Sequence, residues 1–242
     1  MSVRRTRRAL GAVVAAGLIG LAGVGCSVGG GGSAAAAGEA APAPAGTVRV
    51  SGALPSAVEG TKIVVGDAGA PHTVTVYADP RCPYCARFEA AGGAVPAGRA
   101  ARGELGVAYV IASFLDARTG GTASARAATA LRAAADAGPG RFAAFRAALF
   151  AAQPAGEPED AFTADDLLRI ADRVEGLRGD AFDRAVRGGT RGAWVADAER
   201  AFEESGVGGT PAVEVDGEVL DGGDGLYEAG AFGRLLDGAL GS

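Results

Sequence analysis

Residues 73–89 read TVTVYADPRCPYCARFE, and this stretch decides how the chain is understood. Residues 73–77 form a β-branched and aromatic run of the kind that makes a buried strand. From Cys82 to about residue 91 the composition turns helical, with Phe88 available to a core. Pro83 suits a first helical turn, where a missing N–H leaves nothing unbonded. Cys82 and Cys85, two of only three cysteines, therefore fall where a strand hands over to a helix.

Three chemistries compete for such a pair. A structural zinc site needs about four Cys or His ligands, and beyond this pair the chain offers only His72 and Cys26, with Met1 as its one methionine. A static disulfide across two residues closes so small a loop that it constrains the unfolded chain little. The redox reading uses the local geometry instead, because unpaired N–H groups and the positive end of the helix dipole favour a thiolate. Arg81 is expected to add a positive charge beside Cys82. Cys85, one turn further into the helix, is expected to be more buried, nearer an ordinary thiol, and the resolving partner.

Outward from the pair, TKIVV at 61–65 is a short strand, residues 66–71 turn, and GVAYVIASFL at 106–115 reads as a second buried strand. Gly92, Gly93 and Pro96 should interrupt the helix between them. Residues 123–201 are helical. Phe142, Phe145, Leu149 and Phe150 make one stripe, and Thr163 is a good N-cap with Asp165 and Asp166 behind it. A last helix of that block carries Trp194, Ala198, Ala201 and Phe202, aromatics read as core. Two apolar runs about Asp216-Gly217 signal a two-residue hairpin, and residues 228–240 close the chain as a helix.

IVVGDAGAPHTVTVYADPRCPYC at 63–85, RFAAFRAALFAAQP at 141–154 and SGVGGTPAVEVDGEVLDG at 205–222 together resemble the DsbA-like branch of the thioredoxin superfamily. The resemblance implies an α/β thioredoxin-like fold with an inserted helical subdomain at about 119–203. It implies catalysis by Cys82 and Cys85, with Pro83 and Tyr84 on the active-site helix. Pro211 becomes a cis proline beside the sulfurs, and Thr210 a backbone partner for a bound peptide. No cofactor beyond the Cys82/Cys85 disulfide and no metal are implied. One departure stands out: relatives often carry a buried acid six residues before the first cysteine, where this chain has Val76. Asp79 is the nearest acid and could substitute through water, but capping or a surface turn with Pro80 is the expected role; Asp79 and Arg81 are thus the candidates for tuning. His72 is read as a loop residue.

The first 26 residues read as an export signal or anchor. MSVRRTRR carries four arginines and residues 9–25 are apolar without a charge. Small residues leading to Cys26 resemble a bacterial lipoprotein signal that would lipidate that cysteine, although Gly23 stands where an aliphatic residue is usual. An uncleaved anchor, or cleavage after residue 45, is the alternative. Residues 27–46, SVGGGGSAAAAGEAAPAPAG, lack large apolar side chains and form a tether reaching about 25 Å. Residues 47–242 then hold the folded domain. A net charge of -5 argues against nucleic acid.

The expected function is disulfide formation in secreted thiol-containing proteins, on the outer face of a bacterial cytoplasmic membrane. The enzyme would be a monomer, reoxidised by a membrane quinone-linked thiol oxidase. A reductase or isomerase would use the same exchange in the other direction. Outside enzymes, the rival is a tethered thioredoxin-like binding module, a holdase or a metallochaperone, the last disfavoured by the shortage of His and Met.

Overall fold

The computed structural model describes residues 53–241. Its centre is β3 (Thr73–Ala78), buried after its first residue because it has a neighbour on each side and helices over its faces. It pairs in parallel with β4 (Gly106–Ile111), from Thr73 opposite Gly106 to Ala78 opposite Ile111. The connection is α1 (Pro83–Ala91) and α2 (Ala94–Ala100). On its other side β3 pairs antiparallel with β5 (Ala212–Val215), which pairs with β6 (Glu218–Val219). The hairpin of β1 (Ser56–Glu59) and β2 (Lys62–Val65) completes the order β1-β2-β4-β3-β5-β6.

Between β4 and β5 run α3 (Phe114–Thr119), α4 (Ala123–Asp136), α5 (Arg141–Ala151), α6 (Ala164–Ala171), α7 (Asp180–Gly188) and α8 (Gly192–Glu204). A short 3-10 turn (Gly223–Tyr227) and α9 (Ala229–Ala239) follow the last hairpin. Helix α4 buries a face made chiefly of alanine, so its neighbours α3, α5, α7 and α8 can approach closely. The α5 stripe behaves as its spacing requires: Phe142, Phe145 and Leu149 are fully buried, and Phe142 meets Tyr109 of β4 edge-on at 5.3 Å between ring centres. Thr163 caps α6 reciprocally with Asp166, the side chain of each bonding the other's N–H.

The differences from the sequence reading have local causes. Strand β1 goes unread because its alternate residues are only half buried; it folds back over Gly60, at φ +58°. The strand expected over 106–115 stops at Ile111, because the N–H of Leu115 turns to the Asp79 carboxylate and α3 begins. Helices α1 and α2 separate at Gly92, where a Cβ would collide with the Leu226 carbonyl. Trp194 packs against the core from its edge: it is partly exposed and gives its indole N–H to the Gly60 carbonyl at 2.8 Å. The hairpin turn has Asp216 and Gly217 at φ +51° and +88°, the primed geometry that strand twist favours. The expected export signal at 1–26, with Cys26, and the tether at 27–46 lie outside the described residues.

Candidate active site

The loop 79–82 leaves the carboxyl end of β3, the edge at which α/β sheets place their chemistry. Cys82 is the N-cap residue of α1, in extended conformation (φ -68°, ψ 118°), and Pro83 occupies the first turn. Both Cys82 and Cys85 are free thiols, buried to 6% and 1% exposure in a small apolar cluster with Ala78, Leu115 and Phe150. Phe150 thus leaves the α5 core stripe and covers the sulfurs. Opposite them the Thr210–Pro211 peptide is cis, and the Thr210 carbonyl oxygen lies 3.2 Å from Cys82 Sγ.

The two thiols are driven apart in acidity. Cys82 is lowered to about 6. The hydrogen bond from the Cys85 thiol acts most strongly and burial opposes it; the Thr210 side chain and the N–H groups of Cys85 and Tyr84 assist. Among the described residues the Thr210 hydroxyl oxygen is buried with no partner, so its O–H can turn to a sulfur anion. Cys85, expected to be nearly ordinary, is instead pushed well above the usual thiol range, first by burial and then by the neighbouring Cys82. A single unit of such displacement is worth about 1.4 kcal/mol.

The two tuning candidates are placed differently from expectation. Asp79 is no surface residue: it is 0% exposed, and its carboxylate accepts from Arg81 N–H (2.9 Å), Leu115 N–H (3.1 Å) and the Ser124 hydroxyl (2.7 Å). It does cap a helix, but the helix is α3. Burial pushes its pKa up to about 6, while those three donors pull the other way. Arg81 does not present its charge to Cys82. Its guanidinium is 1% exposed and runs to Asp116 (3.0 Å), the Gly120 carbonyl (2.9 Å) and the Glu157 carbonyl, all on the helical insertion. Asp116 in turn accepts from Ser124 N–H and Ala125 N–H at the start of α4. Val76 is buried on β3 with no acid in its place.

Tyr84 is 60% exposed beside the couple, 6.2 Å from the ring of Tyr227, over which Arg87 stacks at 4.3 Å. His72 lies away from the sulfurs, paired with Asp216 at 2.8 Å in the β5–β6 turn. Unread in the sequence were Asp116, Ser124 and Gln153. Asp116 and Ser124 look like ordinary helix-terminus residues; Gln153 was visible only as the polar end of the α5 pattern. Among the described residues no group of three or more His, Cys, Asp or Glu could hold a metal ion.

A dithiol at a strand–helix junction, with its outer sulfur acidic, its inner one buried and a cis proline across from both, is the working part of a thioredoxin-like thiol–disulfide oxidoreductase. Residues 58–232 match the family model Thioredoxin_4, described as thioredoxin, and the chain belongs to that family. Solved structures carry the same fold. MdbA, a thiol-disulfide oxidoreductase from Corynebacterium matruchotii, is 23% identical over 70% of this chain and 87% of its own, with a TM-score of 0.60. The reduced disulfide bond oxidoreductase DsbG from Mycobacterium tuberculosis is 26% identical over 65% and 76%, at 0.53. BdbD from Bacillus subtilis, in its oxidised form, is 19% identical over 81% and 97%, at 0.59. A search of curated protein sequences returned no match.

Proposed function

We propose that this protein is an extracytoplasmic disulfide oxidase that works through the CPYC couple of Cys82 and Cys85. In the oxidised enzyme a substrate thiolate attacks Cys82 Sγ; the Cys82–Cys85 bond breaks, Cys85 leaves and takes a proton, and a mixed disulfide forms. A second substrate thiolate then attacks the substrate sulfur of that bond and expels Cys82 as a thiolate. The substrate loses two electrons and the enzyme holds them as a dithiol. Thr210, beside the cis Pro211, would present its backbone to the bound peptide.

The observation that supports this direction is the setting of Cys82, whose sulfur faces the Cys85 thiol and the N–H groups at the start of α1 and whose pKa is lowered to about 6. A stable thiolate stabilises the reduced enzyme, and a stabilised reduced form makes an oxidant. The basic and apolar start of the sequence supports export and membrane attachment, by a lipid on Cys26 or by an uncleaved anchor. The substrates would be secreted thiol-containing proteins. A membrane quinone-linked thiol oxidase would return the pair to the disulfide, and no further cofactor is needed.

Equilibration with glutathione tests the direction. An oxidase should give a Cys82/Cys85 potential more positive than about -180 mV, and a value near -270 mV would mark a reductase. Oxidation of a reduced, unfolded substrate should be lost in Cys82→Ser; equal rates would dismiss catalysis by this couple.

A further inference from the structure

In the thiol form helix α1 lacks the usual side-chain cap at its start. Its N-cap is Cys82, whose side chain makes no capping hydrogen bond and must remain free to react. The neighbouring Pro80 has no N–H. Within the loop Cys82 N–H bonds the Asp79 carbonyl (3.0 Å) and Arg81 N–H the Asp79 carboxylate (2.9 Å), which leaves the Pro80 carbonyl, and the Cys82 carbonyl at the helix start, open to support from elsewhere.

That support comes from the end of α5. The Gln153 side-chain nitrogen donates to the Pro80 carbonyl at 2.7 Å and to the Cys82 carbonyl at 3.1 Å. One planar amide, with two hydrogens, thus spans the residues on either side of Arg81. The Cys82 carbonyl also accepts from Cys85 N–H (3.0 Å) and Ala86 N–H (3.2 Å), the bonds that open the helix. An N–H given to this oxygen does two things. It fixes the φ/ψ at which the Tyr84 and Cys85 N–H groups face the sulfur, and it offsets the negative end of a carbonyl dipole within the same residue.

We propose that Gln153 is a positioning residue for thiol–disulfide exchange: its carboxamide holds the 80–82 backbone so that the N–H groups at the start of α1 stay aimed at the Cys82 sulfur. It touches neither sulfur nor substrate. The inference rests on exchange at Cys82 and is independent of the direction of exchange.

The test compares wild type with Gln153→Met, which keeps the length and apolar bulk but has no N–H, and with Gln153→Lys, which keeps a donor. The reduced proteins are titrated by thiolate absorbance and by iodoacetamide alkylation, and the oxidised proteins are melted to check the fold. Cys85 and Tyr227 face Cys82 and are both raised above their ordinary values, whereas Asp79 in the same loop also lies at about 6; a carboxyl neither absorbs as a thiolate nor is alkylated as one, so both readouts report Cys82. In Gln153→Met the Cys82 midpoint should rise by about half to one pH unit, making alkylation at pH 6 about two- to fivefold slower. Gln153→Lys should titrate at or below the wild-type midpoint. A folded Met variant with an unchanged midpoint overturns the proposal, as does a folded Lys variant with a raised one; the latter decides alone if the Met variant fails to fold. A wild-type midpoint of about 8.5 would defeat the acidic-cysteine reading itself, a result distinct from an acidic thiol that is indifferent to residue 153.

Discussion

Replacing Asp79 by Asn should remove one particular pH dependence of stability. In the folded protein burial raises this carboxyl to about 6, against about 3.9 in the unfolded chain. The native state therefore holds its proton more tightly than the unfolded state between those values. Unfolding free energy rises as pH falls through that window and is lost as pH climbs back through 6. Two units correspond to about 3 kcal/mol when complete, below about pH 3, of which about 2 kcal/mol is gained between pH 7 and pH 4. At pH 7 the charged form is retained because it accepts from Arg81 N–H, Leu115 N–H and Ser124 at once. An Asn can still accept from two of these through its one oxygen, but its NH2 would face the third donor. That mismatch costs about 1–3 kcal/mol, close to what the lost charge burial returns, so the two proteins should be of similar stability at pH 7 and diverge below it. Urea unfolding of the oxidised proteins from pH 4 to 7.5 is the assay, since with the disulfide closed neither sulfur titrates. Wild type should gain about 2 kcal/mol relative to Asp79→Asn on going to pH 4. Parallel curves would refute the assignment of a proton to this buried carboxyl.

The reduction potential should change slope near pH 6, where Cys82 titrates. Below it two protons accompany two electrons and the potential should fall by about 59 mV per pH unit; above it one proton does so and the slope should be about 30 mV. A single slope from pH 5 to 8 would contradict an acidic Cys82. The Arg146–Glu89 pair, 2.5 Å apart and buried between α5 and α1 with Arg146 over the Tyr109 ring, should behave as a buried ion pair. Arg146→Met alone should cost about 3–5 kcal/mol in urea unfolding, and adding Glu89→Gln should recover much of it.

Why so much could be read before any coordinates, and why some could not, follows from the range over which each signal acts. The strand at 73–78, the Pro83 helix start, the α5 stripe, the Thr163 cap and the Asp216-Gly217 turn are set by neighbours a few residues away. Their periodicity, φ restriction and capping chemistry are all written locally. The spacing of Cys82 and Cys85 and their place at a helix start likewise require no long-range information.

The pairing of distant groups was decided elsewhere. Arg81 is adjacent to Cys82 in sequence, yet Asp116, Gly120 and Glu157, 35 to 76 residues away, draw its charge into the insertion. Asp79 beside Pro80 has every local mark of a surface turn, and only the packing of α3 and α4 over the end of β3 encloses it. The acidity of Cys82 draws on the side chain of Thr210, brought in 128 residues along the chain, and Gln153 reaches the loop from 71 residues away. A hydrogen bond or a desolvated charge depends on what the fold places within about 3 Å, and sequence separation carries no trace of that distance.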